Sequence, residues 1–143
     1  VMEYLDWSTI VIKAAAVGDY TPSEKINGKI KKNDDSMILN LKRTKDILKA
    51  VGEKKDGRMV VGFAAETDNL LKHAKDKLKS KNANLFIAND ISLPGAGFET
   101  ETNIVHFVYR DGKTEELPGA AKSEIARKIF DKILELKTSS ARL

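Results

Sequence analysis

An α/β fold, with a mostly parallel sheet flanked by helices, is what this 143-residue sequence predicts. Three observations carry the prediction. Short β-branched and aliphatic runs alternate along the chain with segments of helical spacing, the alternation that layered α/β domains require. Two of those runs, residues 9–16 and 59–64, are apolar enough to read as buried strands. Two later segments place apolar residues on one helical face: Leu70, Leu71, Ala74 and Leu78, then Ile125, Ala126, Ile129, Phe130, Ile133 and Leu134.

Taken in order, residues 4–7 read as the end of an element that begins upstream, and residues 9–16 as the first strand. Residues 17–35 are polar and carry Pro22, Gly28 and several lysines, which predicts an arm protruding after that strand. Residues 37–41, Met-Ile-Leu-Asn-Leu, are a second candidate strand. Thr44 is placed to cap a helix over residues 45–52, with Asp46 favourably located in its first turn. Residues 59–64 form the third strand, and Thr67 or Asp68 is placed to cap the helix that follows. Residues 85–88 are a fourth short strand, and residues 89–101, with Pro94, Gly95 and Gly97, a loop. Residues 104–109 and 114–117, joined by the Asp111-Gly112 turn, predict an antiparallel hairpin at one edge of the sheet. A long amphipathic helix closes the chain, and its last six polar residues are expected to fray. Repeats, low-complexity tracts and linkers are lacking, so residues 1–143 are expected to be a single domain.

Composition narrows the function classes. No apolar run approaches the roughly 20 residues of a membrane-spanning helix, so no membrane partner is expected. The first residues show neither the basic nor the apolar region of a secretory signal. The chain has no cysteine, which removes disulfides, thiolate nucleophiles and Cys-based metal sites. A cytoplasmic setting is compatible with that. The net charge is +4, carried by 20 Lys against 5 Arg. Such an excess fits a phosphate-rich ligand, and it leaves a basic nucleic-acid-binding module as an alternative. Sparse arginine and 6% aromatic residues count against nucleic acid.

In open parallel sheets ligands bind beyond the carboxyl ends of the strands, where loops vary freely and helix N-termini present N–H groups. Four segments fall there: Ala14-Ala15-Ala16-Val17-Gly18-Asp19-Tyr20, Thr44-Lys45-Asp46-Ile47-Leu48, Gly62-Phe63-Ala64-Ala65-Glu66-Thr67 and Asn89-Asp90. A parallel sheet would gather them on one rim. Their glycines and alanines admit a ligand close to the backbone, although on pattern alone the alanines could equally pack beneath a helix. Lys29-Ile30-Lys31-Lys32 could reach a triphosphate as mobile point charges, or be a solvated charge run. Lys77 and Lys81 share a helix face, where solvent-exposed cations near a C-terminus are also common. Walker A, G-x-G-x-x-G and G-x-S-x-G sequences are missing, so a dehydrogenase-like or other nucleotide enzyme finds no fingerprint here. Only His73 and His106 exist, one expected on the surface and one on a strand face, neither at zinc-binding spacing.

In order and separation, the motifs Ala14 to Tyr20, Lys29 to Lys32, Gly62 to Thr67, Lys77-x-x-x-Lys81-Asn82 and Ala88-Asn89-Asp90 resemble those of phosphopantothenoylcysteine synthetases. The likeness runs from about residue 9 to 134. It implies a Rossmann-like fold and a ligase of coenzyme A biosynthesis acting on phosphopantothenate, cysteine and a nucleoside triphosphate. That triphosphate is CTP in bacterial members, with ATP as the other possibility, and Mg²⁺ accompanies it. FMN belongs to a decarboxylase domain that this chain does not contain. Residue by residue, the resemblance places Asp19, Lys45, Asp46, Ile47, Leu48, Phe63, Lys77 and Lys81 at the nucleotide. It makes Lys29, on the arm, both a nucleotide-binding and a catalytic residue, and it leaves the metal ligands unassigned. It further implies a homodimer formed through the arm and strands of residues 17–43. Family members open this domain with a strand, a glycine-containing loop and an asparagine-bearing segment that holds the acyl-nucleotide. The chain is therefore expected to start inside a domain, and to bind nucleotide without ligating by itself.

Overall fold

The structure is a computed structural model that describes residues 1–30, 36–66, 68–91 and 101–140. Lys31, Lys32, Thr67, Pro94, Gly95 and Gly97, which figure among the sequence expectations, lie outside the described residues. After a short 3₁₀ turn at Met2–Tyr4 come β1 (Ile10–Lys13), β2 (Tyr20–Pro22), β3 (Leu41–Arg43), α1 (Ile47–Glu53) and β4 (Met59–Glu66). The remainder is α2 (Leu70–Ser80), β5 (Leu85–Asp90), β6 (Thr102–Tyr109), β7 (Thr114–Ala121) and α3 (Lys122–Ser140).

Five strands form the main sheet in the order β1-β4-β5-β6-β7. The pairs β1/β4 and β4/β5 are parallel, and β6 runs against both β5 and β7, so β6 alone is reversed. The central strands are apolar at consecutive positions because both faces are covered. On one face Val60, Ala64, Phe86 and Ala88 meet Leu48 and Val51 of α1 and Ala74 and Leu78 of α2. On the other, Met59, Val61, Leu85 and Ile87 meet Ile125, Ile129 and Ile133 of α3. Each large side chain so buried contributes roughly 1.5–3 kcal/mol, which makes β4 and β5 the anchor of the domain.

Two glycines set the position of α1. A Cβ on Gly62 would lie 2.5 Å from the Phe86 ring and 2.7 Å from a Leu48 methyl, so only glycine lets that helix settle on β4. A Cβ on Gly52 would lie 1.9 Å from the Lys81 carbonyl oxygen, where the end of α1 meets the end of α2. Asn82, in the left-handed region at φ 51°, secures the junction by donating its side-chain amide to the Gly52 carbonyl at 2.9 Å.

Several local expectations change. Residues 37–41 do not form a strand; the chain pairs only at Leu41–Arg43, against Tyr20–Pro22, and Ile38 is 90% exposed. The reason is packing: among the described residues no layer covers this two-stranded ribbon to bury an apolar run. Thr44 is not the cap of α1, because its hydroxyl donates to the Gly18 carbonyl at 2.6 Å. Asp46 caps instead, accepting the Lys49 N–H at 2.9 Å. Neither does Asp68 cap α2; Asn69 occupies that position with φ 50° and no side-chain bond. β5 continues through Asn89 and Asp90 beside β4, and β7 continues to Ala121 as an edge strand where Pro118 costs no ladder bond. The helix α3 extends to Ser140, with Thr138 and Ser139 bonding back to carbonyls one turn earlier.

Candidate functional site

A cleft of about 460 Å³ opens at the carboxyl ends of β1 and β4, on the side covered by α1 and α2. Local bonds shape its walls. Where the β2/β3 ribbon leaves the domain, the Thr44 N–H donates to the Asp19 carbonyl at 2.9 Å, beside the Thr44–Gly18 bond. That closure sets Asp19 and Tyr20 against the segment from Arg43 to Leu48. Arg43 stacks over the Tyr20 ring at 6.0 Å. β4 delivers Phe63 to the floor, and α2 delivers Lys77 and its C-cap residue Lys81.

Of the nine residues the sequence singles out, eight line this cleft: Asp19, Lys45, Asp46, Ile47, Leu48, Phe63, Lys77 and Lys81. Lys29 does not. It is exposed on the arm between β2 and β3, apart from the cleft lining.

Both predicted helix lysines are held by carboxylates. Lys81 is paired with Asp46 Oδ2, while Asp46 Oδ1 takes the Lys49 N–H, so both oxygens of the cap are engaged. Lys77 Nζ lies 2.5 Å from Glu66 Oε1, and His73 Nδ1 lies 3.4 Å from Glu66 Oε2. His73 is therefore half-buried against an acid rather than a plain surface residue. Burial pushes the Asp46 carboxyl up, but the bonds from Lys81 and Lys49 and the charges of Lys81 and Lys13 outweigh it and hold the group below its ordinary value. Glu66 behaves likewise: burial opposes, and Lys77 and then His73 prevail to keep it low.

The lining carries five cations (Lys13, Arg43, Lys45, Lys77 and Lys81) against two carboxylates, which favours a polyanion. Lys13, Arg43 and Lys45 have no ion-pair partner among the described residues. Nor do those residues contain a group of three or more His, Cys, Asp or Glu able to hold a metal. A magnesium ion needs only one or two carboxylates when phosphates complete its shell, and Asp19 is the lining carboxylate without an ion pair among the described residues.

A second cavity, about 500 Å³, lies behind the cleft toward α3, with Ala14, Ala15, Ala16, Ala64 and Ala65 in its wall. Ala14, Ala15, Ala16 and Ala65 are exposed and line open space, whereas Ala64 is buried against α1 and α2. The two cavities share Lys13, Val17 and Phe63.

Sequence reasoning missed Lys13 and Arg43, and it quoted Tyr20 and Glu66 within the rim motifs without giving either a role. A signal existed for two of them. Lys13 is the lone charge inside an apolar strand run, and Glu66 ends another, both places where burial of a charge needs a reason. Arg43 gave none, because only the ribbon pairing with Tyr20 brings it to the cleft.

Comparison with known proteins adds three findings. The model of the DNA/pantothenate metabolism flavoprotein C-terminal domain matches residues 1–136. The coenzyme A biosynthesis bifunctional protein CoaBC of Bacillus subtilis is 47% identical over 136 residues, covering 95% of this chain and 34% of that protein. The chain thus spans about a third of the length of this relative. Among solved structures, the C-terminal domain of a CoaBC protein aligns with TM-score 0.76 and 37% identity, over 96% of this chain and 59% of that one. A Cab2 point mutant in complex with phosphopantothenate-cysteine aligns with TM-score 0.55 and 26% identity, over 89% of this chain and 45% of that one. Among the described residues, no helix is long and apolar enough to cross a membrane.

Proposed function

This chain belongs to the DNA/pantothenate metabolism flavoprotein C-terminal domain family, and from that premise we propose that it supplies most of the nucleotide site of a phosphopantothenate–cysteine ligase. The observation that carries the reading is the convergence of Asp19, the segment from Lys45 to Leu48, Phe63, Lys77 and Lys81 on one cleft with surplus positive charge. The CoaBC relative, and the Cab2 structure holding phosphopantothenate-cysteine, support the same chemistry.

The reaction has two steps. The carboxylate oxygen of phosphopantothenate attacks the α-phosphorus of CTP; the bond to the β-phosphate oxygen breaks and pyrophosphate leaves. The cysteine amine then attacks the acyl carbonyl of the acyl-cytidylate, CMP departs, and the amine loses one proton to solvent. The obstacle in the first step is that a carboxylate must approach a polyphosphate, so fixed positive charge is the main lever available. Lys77 and Lys81, already placed by Glu66 and Asp46, exchange a carboxylate partner for phosphate oxygens with little reorganisation. Phe63 offers an apolar surface to the nucleotide, and Asp19 is the lining carboxylate that would hold magnesium. Magnesium, when bound, adds further screening of the same charge. Lys29 acts from the arm, closing over the nucleotide as a mobile charge.

The arm also suits a homodimer contact. Its Ile26, Ile30, Met37, Ile38, Leu39 and Leu41 are exposed, an apolar surface that a second copy would cover.

Calorimetric titration with CTP, ATP and NAD tests the reading. CTP-selective heat that is lost in Lys29→Ala is the expected result; no heat with either triphosphate counts against it. Affinity for nucleic acid that collapses with salt and ignores nucleotide identity would favour a basic binding module instead.

A further inference from the structure

We propose that Lys13 is a catalytic residue of the first chemical step, placed on the wall between the two cavities so that its ammonium bridges the attacking carboxylate and the α-phosphate. The inference rests on the ligase reading given above.

The argument begins with where two reactants can meet. The cleft between the ribbon and α2 is polar and cationic, and suits the triphosphate. The cavity behind it is walled by alanines with Val105, Ile125 and Ile129, and Asn89, Asn103 and Lys122 add a polar part, so it suits a branched, largely apolar chain that carries a few polar groups. In that wall Asn89 Oδ1 is buried with no hydrogen-bond donor among the described residues. A buried acceptor left in this state calls for a donor. After a small rotation of the amide, an N–H or O–H of a bound molecule would provide one. A hydroxy acid with an amide in its chain has the required mixture of methyls, methylenes and donors. With the acid behind and the triphosphate in front, the reacting atoms fall at the shared wall, which consists of Lys13, Val17 and Phe63. Lys13 is the only charged residue of the three.

Lys13 is also fixed there. It is the last residue of β1, in register with Gly62 of β4, and half-buried. Its ammonium donates to the Ala15 carbonyl at 3.1 Å, which bends the side chain back over the alanine segment. Its charge is felt at the Asp46 carboxylate on the far side of the cleft. Unlike Lys77 and Lys81, it has no carboxylate partner among the described residues, so its charge remains available to a ligand. A half-buried ammonium without a counter-ion disfavours folding, and such a group at the meeting point of two anions has a functional explanation. In the step proposed, no proton moves. The carboxylate forms its bond to phosphorus, pyrophosphate leaves with the electron pair of the broken P–O bond, and Lys13 screens the charge that gathers between the two anions.

The test uses the protein at its full length and isolates the first step. It follows exchange of labelled pyrophosphate into CTP that depends on added phosphopantothenate. Lys13→Gln keeps a donor for the Ala15 carbonyl but removes the charge. It is expected to slow exchange about 100-fold or more while moving the KM for CTP less than about fivefold. Lys13→Arg is expected to retain exchange within about tenfold of the parent, because the charge is kept. Lys13→Met serves as the check on folding, and its melting temperature should not fall, since an unpaired charge is being removed. Exchange in Lys13→Gln within about threefold of the parent, or a KM change that accounts for the whole loss, overturns the catalytic role. A parent protein that exchanges pyrophosphate into no triphosphate at all brings down the ligase reading and this inference together. An active parent with an unaffected variant removes only this inference.

Discussion

Two pairs of cations at opposite ends of the sheet are treated in opposite ways. At the carboxyl rim, Lys77 and Lys81 each lie against a carboxylate, and Glu66 and Asp46 are held below their ordinary values in return. At the other end, where β4 and β5 begin, Lys55 donates to the Asn82 carbonyl at 3.3 Å and Arg110 to the Asn82 side-chain oxygen at 3.0 Å. Two cations thus converge on one neutral residue, and neither has a carboxylate partner beside it among the described residues. Burial, reinforced by the Arg110 charge, pushes the Lys55 ammonium down to about 8. The contrast shows what the carboxylates at the rim accomplish. Burial beside a second cation weakens the Lys55 hold on its proton, whereas each of these rim lysines lies against a carboxylate.

The junction between the ends is the dipeptide Lys81-Asn82. Lys81 reaches Asp46 at the start of α1, and Asn82 holds the Gly52 carbonyl near its end. Gly52→Ala should therefore break the comparison most severely. The added methyl meets a backbone carbonyl at 1.9 Å, which cannot yield as a flexible side chain would. A loss of about 3 kcal/mol is expected from overpacking at such a site, read as a lowered urea midpoint, with the Lys81–Asp46 pair displaced as well. A midpoint unchanged within error would mean that α1 slides freely past α2. Next in size is Lys81→Met, which keeps the aliphatic stem and removes the charge. Titration with CTP should give an affinity lower by about ten- to a hundredfold, the range for one charge-assisted bond. Unchanged affinity would mean that Asp46 sequesters Lys81 permanently, and that the rim pairs are structural.

How much of this was legible beforehand follows from the physics of each part. β4, β5, α2 and α3 are plain in the sequence because a buried strand needs a continuous apolar run and a covered helix needs a stripe. Residues 37–41 misled for the same reason: an apolar run announces a wish for burial, and nothing local says whether a partner layer exists. Thr44 and Asp46 are equally good caps on paper, and only the long-range bond to Gly18 decides between them. For the site, a parallel sheet carries every post-strand segment to one rim, so convergence of the motif residues could be anticipated from topology. The pairings could not. That Glu66 turns toward His73 and Lys77, or that Tyr20 and Arg43 meet through the ribbon, depends on orientations that spacing does not encode.

The smallest effect concerns Lys55 and sharpens the comparison from the other side. Its ammonium loses its proton near pH 8 in the folded chain but near 10.5 when unfolded. Between those values the unfolded state binds more protons, so stability rises with pH through that window; below pH 8 the penalty on the charged form is fully present. Tyr109 acts in the opposite sense. Burial, with Glu115 beside it, pushes its hydroxyl from 10.0 up to about 12, so it lowers stability only above pH 10. The Lys55 contribution is therefore read between pH 8 and 10. Over that range the parent should gain stability in urea, and Lys55→Met should lose most of the gain while being the more stable of the two at pH 7. The rim lysines provide the control. A substitution such as Lys77→Met removes a charge already compensated by Glu66, so it should leave the slope between pH 8 and 10 as it is in the parent. Identical slopes for Lys55→Met and the parent would show that Asn82 and the surrounding water compensate the Lys55 charge as fully as Glu66 and Asp46 compensate theirs, and the distinction between the two ends would vanish.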